Sequence, residues 1–124
     1  MDNVAITHAL FDALEAGDFK KFLSLFDRSA VIWQNFTRRD TPVAEVAAML
    51  EGMRPALQSD RYVDRRYMAI AGGVIAQHTK CATRLDGHVV EIPIMLRVYT
   101  EGDKIKRIEE YFDLSQAASL AEER

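Results

Sequence analysis

The chain has 124 residues, enough for one domain but not for two. With 48% hydrophobic and 28% charged residues it has the balance of a folded globular domain, not of a disordered segment. Sixteen basic against nineteen acidic side chains leave a net charge of -3, which argues against nucleic-acid and anionic-membrane partners, since both require a basic surplus.

The opening residues, MDNVAITHAL, place an acid at position 2 and no basic stretch before an apolar run, so no secretory signal is read there. No apolar run approaches the roughly 18 residues of a membrane span. Cys81 is the single cysteine and has no partner for an intramolecular disulfide. That fits a reducing compartment, and a cytoplasmic protein is expected.

Ile6, Leu10, Ala13 and Leu14 form one stripe of a first helix, which Gly17 ends. Asp18 is a good N-cap for a second, short helix with Phe19, Phe22, Leu23 and Phe26 at helical spacing. Residues 29–35 (SAVIWQN) are β-branched and aromatic and predict a strand, followed by a polar loop, TRRD. Thr41 as N-cap and Pro42 in the first position open a third helix, with Val43, Val46, Ala47, Leu50 and Met53 inward and Pro55 closing it.

From about Tyr62 the hydrophobic period becomes two. Gly72-Gly73, Asp86-Gly87 and Glu101-Gly102-Asp103 separate four runs, 62–71, 74–85, 88–100 and 104–114, which predict an antiparallel meander. The final SQAASLAEER reads as a short terminal helix or a frayed tail. Helices followed by a meander predict a single α+β domain over residues 1–124, with the N-terminal helices packed on a curved antiparallel sheet.

Taking Asp86-Gly87 as a two-residue turn pairs Leu85 with His88, and so sets His78 opposite Met95 and Lys80 opposite Pro93. One face of this hairpin is then largely aliphatic, with Ile75, Val90, Ile92, Ile94, Leu96 and Val98. The other mixes apolar and ionisable groups, among them His78, Lys80, Met95 and Arg97. If Gly72-Gly73 is also a two-residue turn, Tyr67 lies opposite His78. The last hairpin is ambiguous by one residue, which leaves its faces unassigned. Helices can cover only one face of a sheet, so the aliphatic face predicts a homodimer packed through Ile92, Ile94, Leu96 and Val98.

Two stretches resemble a known superfamily. FDALEAGDFKKFLSLF is similar to the N-terminal pattern of the nuclear transport factor 2-like superfamily, in which an alanine-glycine-aspartate step joins the first two helices. EGDKIKRIEEYFDL resembles its last hairpin as found in SnoaL-like polyketide cyclases and limonene epoxide hydrolases. The resemblance runs from about residue 3 to 118 and implies a cone-shaped fold. That fold hosts isomerases, dehydratases, cyclases, hydrolases and pure binders.

Limonene epoxide hydrolase is the nearest functional match. By that resemblance Asp113, in YFDL, falls on the water-activating base, and Asn35, in WQN, on the asparagine beside it. Trp33 replaces the family's tyrosine, and His78 and Lys80 stand where its arginine-x-aspartate pair would be, which puts epoxide hydrolysis in doubt. Ketosteroid isomerase activity is excluded. Its base would fall near Gln34 or Asn35, its tyrosine near Leu10 and its protonated aspartate at Met95, and none of these carries the required group.

Each candidate has a structural alternative. Asp113 is a general base at a cavity rim, or a helix cap three residues before Gln116. His78 titrates nearest neutrality and is the expected proton donor-acceptor, or else a satisfied structural histidine. Lys80 holds an anionic substrate oxygen or lowers the His78 pKa, or is a solvated strand-end lysine. Asn35 orients a water, Trp33 walls the pocket, Tyr67 donates a hydrogen bond beside His78, and Met95 lines the cavity. His8, His78 and His88 lack metal-ligand spacing and no phosphate-binding glycine motif occurs, so neither metal nor cofactor is expected. The expected partner is a small apolar molecule. The expected function is cofactor-independent acid/base chemistry on an apolar, oxygen-bearing substrate: hydration or dehydration, epoxide opening, cyclisation or isomerisation. The alternative is a non-catalytic small-ligand-binding protein on the same fold.

Overall fold

Asp2 accepts a hydrogen bond from the Ala5 amide at 2.7 Å and so starts the first helix, α1 (Asn3–Ala16). A computed structural model of the chain describes residues 2–120. Ile6, Leu10, Phe11, Ala13 and Leu14 bury the inner stripe of α1, and Gly17, in the left-handed region at φ 69°, ends it. Asp18 then caps α2 (Phe19–Ser24) through the Lys21 amide at 2.9 Å. This helix stops sooner than its aromatic spacing predicts. Phe26 is buried as the first residue of β1 (Phe26–Gln34), and Leu23 is exposed.

Asp40–Pro42 forms a short strand, β2, antiparallel to β1, with Thr41 opposite Ile32. Thr41 is therefore not the cap expected of it. Pro42 stands at that position without a side-chain hydrogen bond, and α3 runs over Val43–Met53 with Val43, Val46 and Ala47 buried. One turn of 3-10 helix (Arg54–Ala56) leads into the meander of β3 (Leu57–Ile70), β4 (Gly73–Arg84), β5 (Val89–Glu101) and β6 (Lys104–Tyr111). A four-residue helix, α4 (Leu114–Ala117), and a further 3-10 turn follow, short of the tail's last four residues, which lie outside the described ones. The six strands form one sheet in the order β2-β1-β6-β5-β4-β3, antiparallel except where β1 runs parallel to β6.

The turn between β4 and β5 decides which residues face inward. It has three residues, not two: Arg84 donates to the His88 carbonyl at 2.8 Å, and Gly87, at φ 88°, donates back to Arg84 at 3.0 Å. His78 therefore pairs with Ile94 and Lys80 with Ile92. A one-residue slip exchanges every side chain of one strand between faces. Val90, Ile92, Ile94, Leu96 and Val98 thus lie on the same face as Val74, Ala76, His78 and Lys80. That face is covered by the helices of the same chain, and all five β5 residues are buried there. The expected aliphatic surface is the core itself, which removes the ground for a homodimer packed through it.

Of the register shifts in the sheet, two decide which residues face inward near the site. In β3 the register shifts between Val63 and Arg66, where Asp64 takes a positive φ of 55°. In β6 the pairing steps from Thr100–Ile105 to Tyr99–Arg107, leaving Lys106 as the extra residue. Ile105 and Ile108, three apart, are consequently both buried, and Glu110 shares the inner face with its partner Leu96.

Strand packing is tightest at Gly73, where a Cβ would lie 1.9 Å from the Val98 carbonyl oxygen. Gly73→Ala is expected to cost at least about 2 kcal/mol, because a backbone carbonyl on a paired strand cannot yield as a flexible side chain can. Gly52, near the end of α3, has nothing within 4 Å of its Cβ position. Gly52→Ala is expected to stabilise by about 0.5–1 kcal/mol. Urea unfolding of the two variants checks both signs.

Candidate active site in the cone interior

Residues Asp60 and Tyr62 alternate on β3 and so project from the same face, and Lys80 lies directly across from Tyr62 on β4. The Lys80 ammonium donates to Asp60 Oδ2 at 2.8 Å and to the Tyr62 hydroxyl oxygen at 3.2 Å. All three line an interior cavity of about 250 Å³ whose other walls include Leu14, Phe19, Leu50, Met53, Leu57 and Leu120. Arg54 lines it as well. Few polar groups converging in an apolar concavity are the usual form of a small-molecule site.

The hydrogen bonds leave specific capacity unused. Tyr62 Oη accepts from Lys80, so its own proton remains available to donate. Asp60 Oδ2 is held by Lys80, while Oδ1 is buried with no hydrogen-bond partner among the described residues. Burial pushes the Tyr62 phenol up to about 12, against the opposing charge of Lys80. Burial alone would lower the Lys80 ammonium, but Tyr62 and Asp60 outweigh it and hold its pKa above the ordinary lysine range. Glu110, on the inner face of β6, accepts from Gln34 Nε2 at 2.8 Å. Burial raises its carboxyl pKa, with the Gln34 hydrogen bond and Lys80 opposing.

Solved structures share this architecture. A protein from Pseudomonas putida KT2440, provisionally described as a polyketide cyclase, superposes with a TM-score of 0.81 at 23% identity, over 97% of this chain and 98% of that one. A protein of Shewanella denitrificans OS-217, provisionally described as a SnoaL-like polyketide cyclase, gives 0.79 at 9% identity, covering 95% of each chain. The chain has the nuclear transport factor 2-like fold. TerC, co-crystallised with polyporic acid, gives 0.79 at 17% identity over 95% of this chain and 96% of that one. At such identities the likeness is one of fold. No family model and no curated protein matches the chain.

The other expected site residues, whether placed by resemblance (Asp113, Asn35, Trp33) or by hairpin register (Met95, Tyr67), do not converge in this interior. Asp113 is exposed beyond the end of β6 and caps α4, accepting from the Ser115 amide at 2.9 Å and its hydroxyl at 2.7 Å. The Ser115 side-chain and backbone hydrogen bonds hold its pKa below the usual carboxylate range, the opposite of what burial would give a base. Asn35 clips the ends of β1 and β6 together, its Oδ1 accepting from the Phe112 amide at 3.1 Å. Trp33 stacks on Tyr111 at 5.3 Å, beside Glu109 on the outer face of the sheet. Met95 is also outer, paired with Tyr111, and lines a cleft of about 350 Å³ on that side. Tyr67 pairs with Ala76, not His78, and its hydroxyl meets His8 Nδ1 at 3.2 Å next to α1.

Only Lys80 of the predicted set lines the cavity. The periodicity missed Asp60 because β3 begins at Leu57, five residues before the change of period. It missed Glu110 because the Lys106 bulge hides which face the last strand presents. The readable signal was the cross-strand neighbour of Lys80, had the β3 register been fixed.

His78 is inside the fold but does not line the cavity. It is 3% exposed, both ring nitrogens lack partners, and its ring packs between Phe11 at 4.4 Å and Tyr62 at 5.0 Å. Burial, with the charges of Arg65 and Lys80 adding to it, lowers its pKa to about 4. Unfolding therefore takes up a proton between pH 6.5 and 4, so stability is intact above that window and falls as pH is lowered through it. From pH 7 to 4.5 the loss from this one group should be about 2 kcal/mol. Urea midpoints of the wild type and His78→Leu at the two pH values check it, the variant lacking that share of the acid dependence.

Proposed function

We propose that the chain is an enzyme that performs cofactor-independent acid/base chemistry on a small, apolar, oxygen-bearing molecule held in the interior cavity. The observation that carries this is the Asp60–Lys80–Tyr62 cluster on an otherwise apolar cavity, with one carboxylate oxygen and one phenolic proton uncommitted. A buried polar atom left without a partner calls for a ligand or a water to complete it. The fold neighbours described as polyketide cyclases, and TerC crystallised with polyporic acid, support a small-molecule site in this scaffold.

In the proposed chemistry Asp60 Oδ1 accepts a proton, from water or from a carbon next to a carbonyl. The Tyr62 hydroxyl donates a hydrogen bond to the substrate oxygen on which negative charge develops. Lys80 fixes both groups and balances the carboxylate charge in the dry interior. Glu110 is a second carboxyl, its pKa raised by burial, close enough for its charge to act on Tyr62. This layout serves hydration or dehydration, epoxide opening, ring closure and isomerisation alike, because each needs a base and a proton donor within reach of one small substrate. Cys81 has no partner for an intramolecular disulfide, which supports placing the protein in the cytoplasm.

A non-catalytic binding protein is the alternative. It is favoured by one observation, the commitment of Asp113 and Asn35 to local structure instead of the cavity. The two separate in D2O, where NMR of a panel of small ketones, enones and epoxides reports exchange, hydration and ring opening together. The enzyme predicts turnover that Asp60→Asn lowers by about 10²–10⁴-fold and that Tyr62→Phe also lowers, with binding retained. Binding across the panel without any turnover establishes the non-catalytic protein. Turnover undiminished in both folded variants rejects this assignment of roles.

A further inference from the structure

Lys80 and Arg54 both line the interior cavity, but among the described residues only Lys80 is ion-paired. Lys80 is ion-paired with Asp60 at 2.8 Å. Arg54, just past the end of α3, makes no ion pair among the described residues. Its Nη1 donates to the Leu57 carbonyl oxygen at 3.3 Å, and its Nε is buried without an acceptor. Nη2 reaches no acceptor among the described residues. The edge left free, Nε with Nη2, is a side of the guanidinium fork that grips a carboxylate with two parallel hydrogen bonds.

Arg54 also stands at the way in. With Phe19 and Leu57 it lines both the interior cavity and a surface groove of about 610 Å³. Lys20 adds a second positive charge to that groove. Of its two carboxylates, Asp18 is committed to capping α2, and Glu51, three residues before Arg54, forms no ion pair with it. The Arg54 arm lies against Gly17, whose missing side chain leaves it room to pivot. The nearest Arg54 atoms are 3.9 Å from where a Cβ would stand.

We infer that the ligand of the cavity is a small apolar carboxylic acid, bound as its carboxylate. Its anionic group sits on Arg54 at the mouth, its apolar body runs past Phe19 and Leu50, and its far end meets Asp60 and Tyr62. The orientation follows from charge. A carboxylate beside Lys80 would face the carboxylate of Asp60, whereas one beside Arg54 meets a guanidinium with no ion-pair partner among the described residues. The inference rests on the proposed use of the cavity and adds to it the substrate class and the binding direction.

The test is titration calorimetry at low salt with 3-phenylpropanoate and 3-phenylpropanamide, which match in shape and differ in charge. The wild type is expected to bind the acid at least about tenfold more tightly than the amide, a gap that shrinks as salt is added. Arg54→Gln should erase the gap by bringing acid binding down to that of the amide, and Arg54→Lys should keep part of it. Leu50→Trp, which fills the cavity, should remove binding of both probes. Equal binding of acid and amide by the wild type overturns the inference, as does a gap that survives in folded Arg54→Gln. In either case, blockage of both probes by Leu50→Trp leaves the cavity reading standing. Should Arg54→Gln fail to fold, a wild-type gap insensitive to salt overturns the inference in its place. Failure of the wild type to bind either probe at millimolar concentration overturns the cavity reading together with it.

Discussion

Arg84 pairs with His88 across a three-residue turn, and the left-handed Gly87 that closes it fixes which side chains of β4 and β5 share a face. The five inward aliphatic residues of β5 make that face the core, and β4 must then bury His78 and Lys80 beside them. An ionised lysine taken out of water is stable only when paired and hydrogen-bonded. Asp60 and Tyr62 supply that pairing from β3, so the polar cluster of the interior is a consequence of the hairpin register. With the register one residue over, Lys80 would lie on the outer face with Met95 and Arg97, and Asp60 would lose its interior cation.

Such a cluster is hard to account for as a stabilising device. The attraction within a buried ion pair roughly offsets the cost of desolvating its members, and apolar residues of similar volume often serve as well or better. His78 adds to the cost, being buried with neither ring nitrogen satisfied. Asp60 Oδ1 is left in the same condition. Buried groups that do not maximise stability are commonly kept for chemistry or recognition. That reasoning gives Asp60, Tyr62 and Lys80 more weight as functional groups than their distances alone would.

The helical half of the fold was legible because its signals are local. The stripe of α1, its end at Gly17 and the Asp18 cap each depend on residues within a few positions. The order of helices followed by a meander was legible for the same reason. Register was not. Asp-Gly within a hairpin turn fits two-residue and three-residue loops alike, and the choice depends on which face is covered, a tertiary matter. Bulges at Asp64 and Lys106 break the period of two where the inward residues had to be counted, so Tyr62 and Glu110 were hidden. Asp113 shows the converse. Its spacing from Gln116 marked it as a helix cap from the local sequence, and it does cap α4, through Ser115.

The two ends of the cavity differ in a way that bears on how a ligand would move through it. At the Asp60–Lys80–Tyr62 end, charge is neutralised within the cluster, and what remains on offer is one acceptor and one donor. At the Arg54 end a buried guanidinium Nε has no acceptor among the described residues, beside a surface groove that Asp18, Lys20 and Glu51 also line. A carboxylate would find its hydrogen-bond donors at Arg54, while its apolar part gains by leaving water for the Leu14, Leu50 and Leu57 walls. The same asymmetry keeps a second anion away from Asp60, whose one unpartnered oxygen is the group that the proposed proton transfer requires. A single side chain at the junction of groove and cavity thus couples selection of the ligand to its alignment at the acid/base pair, and no part of the sheet has to move.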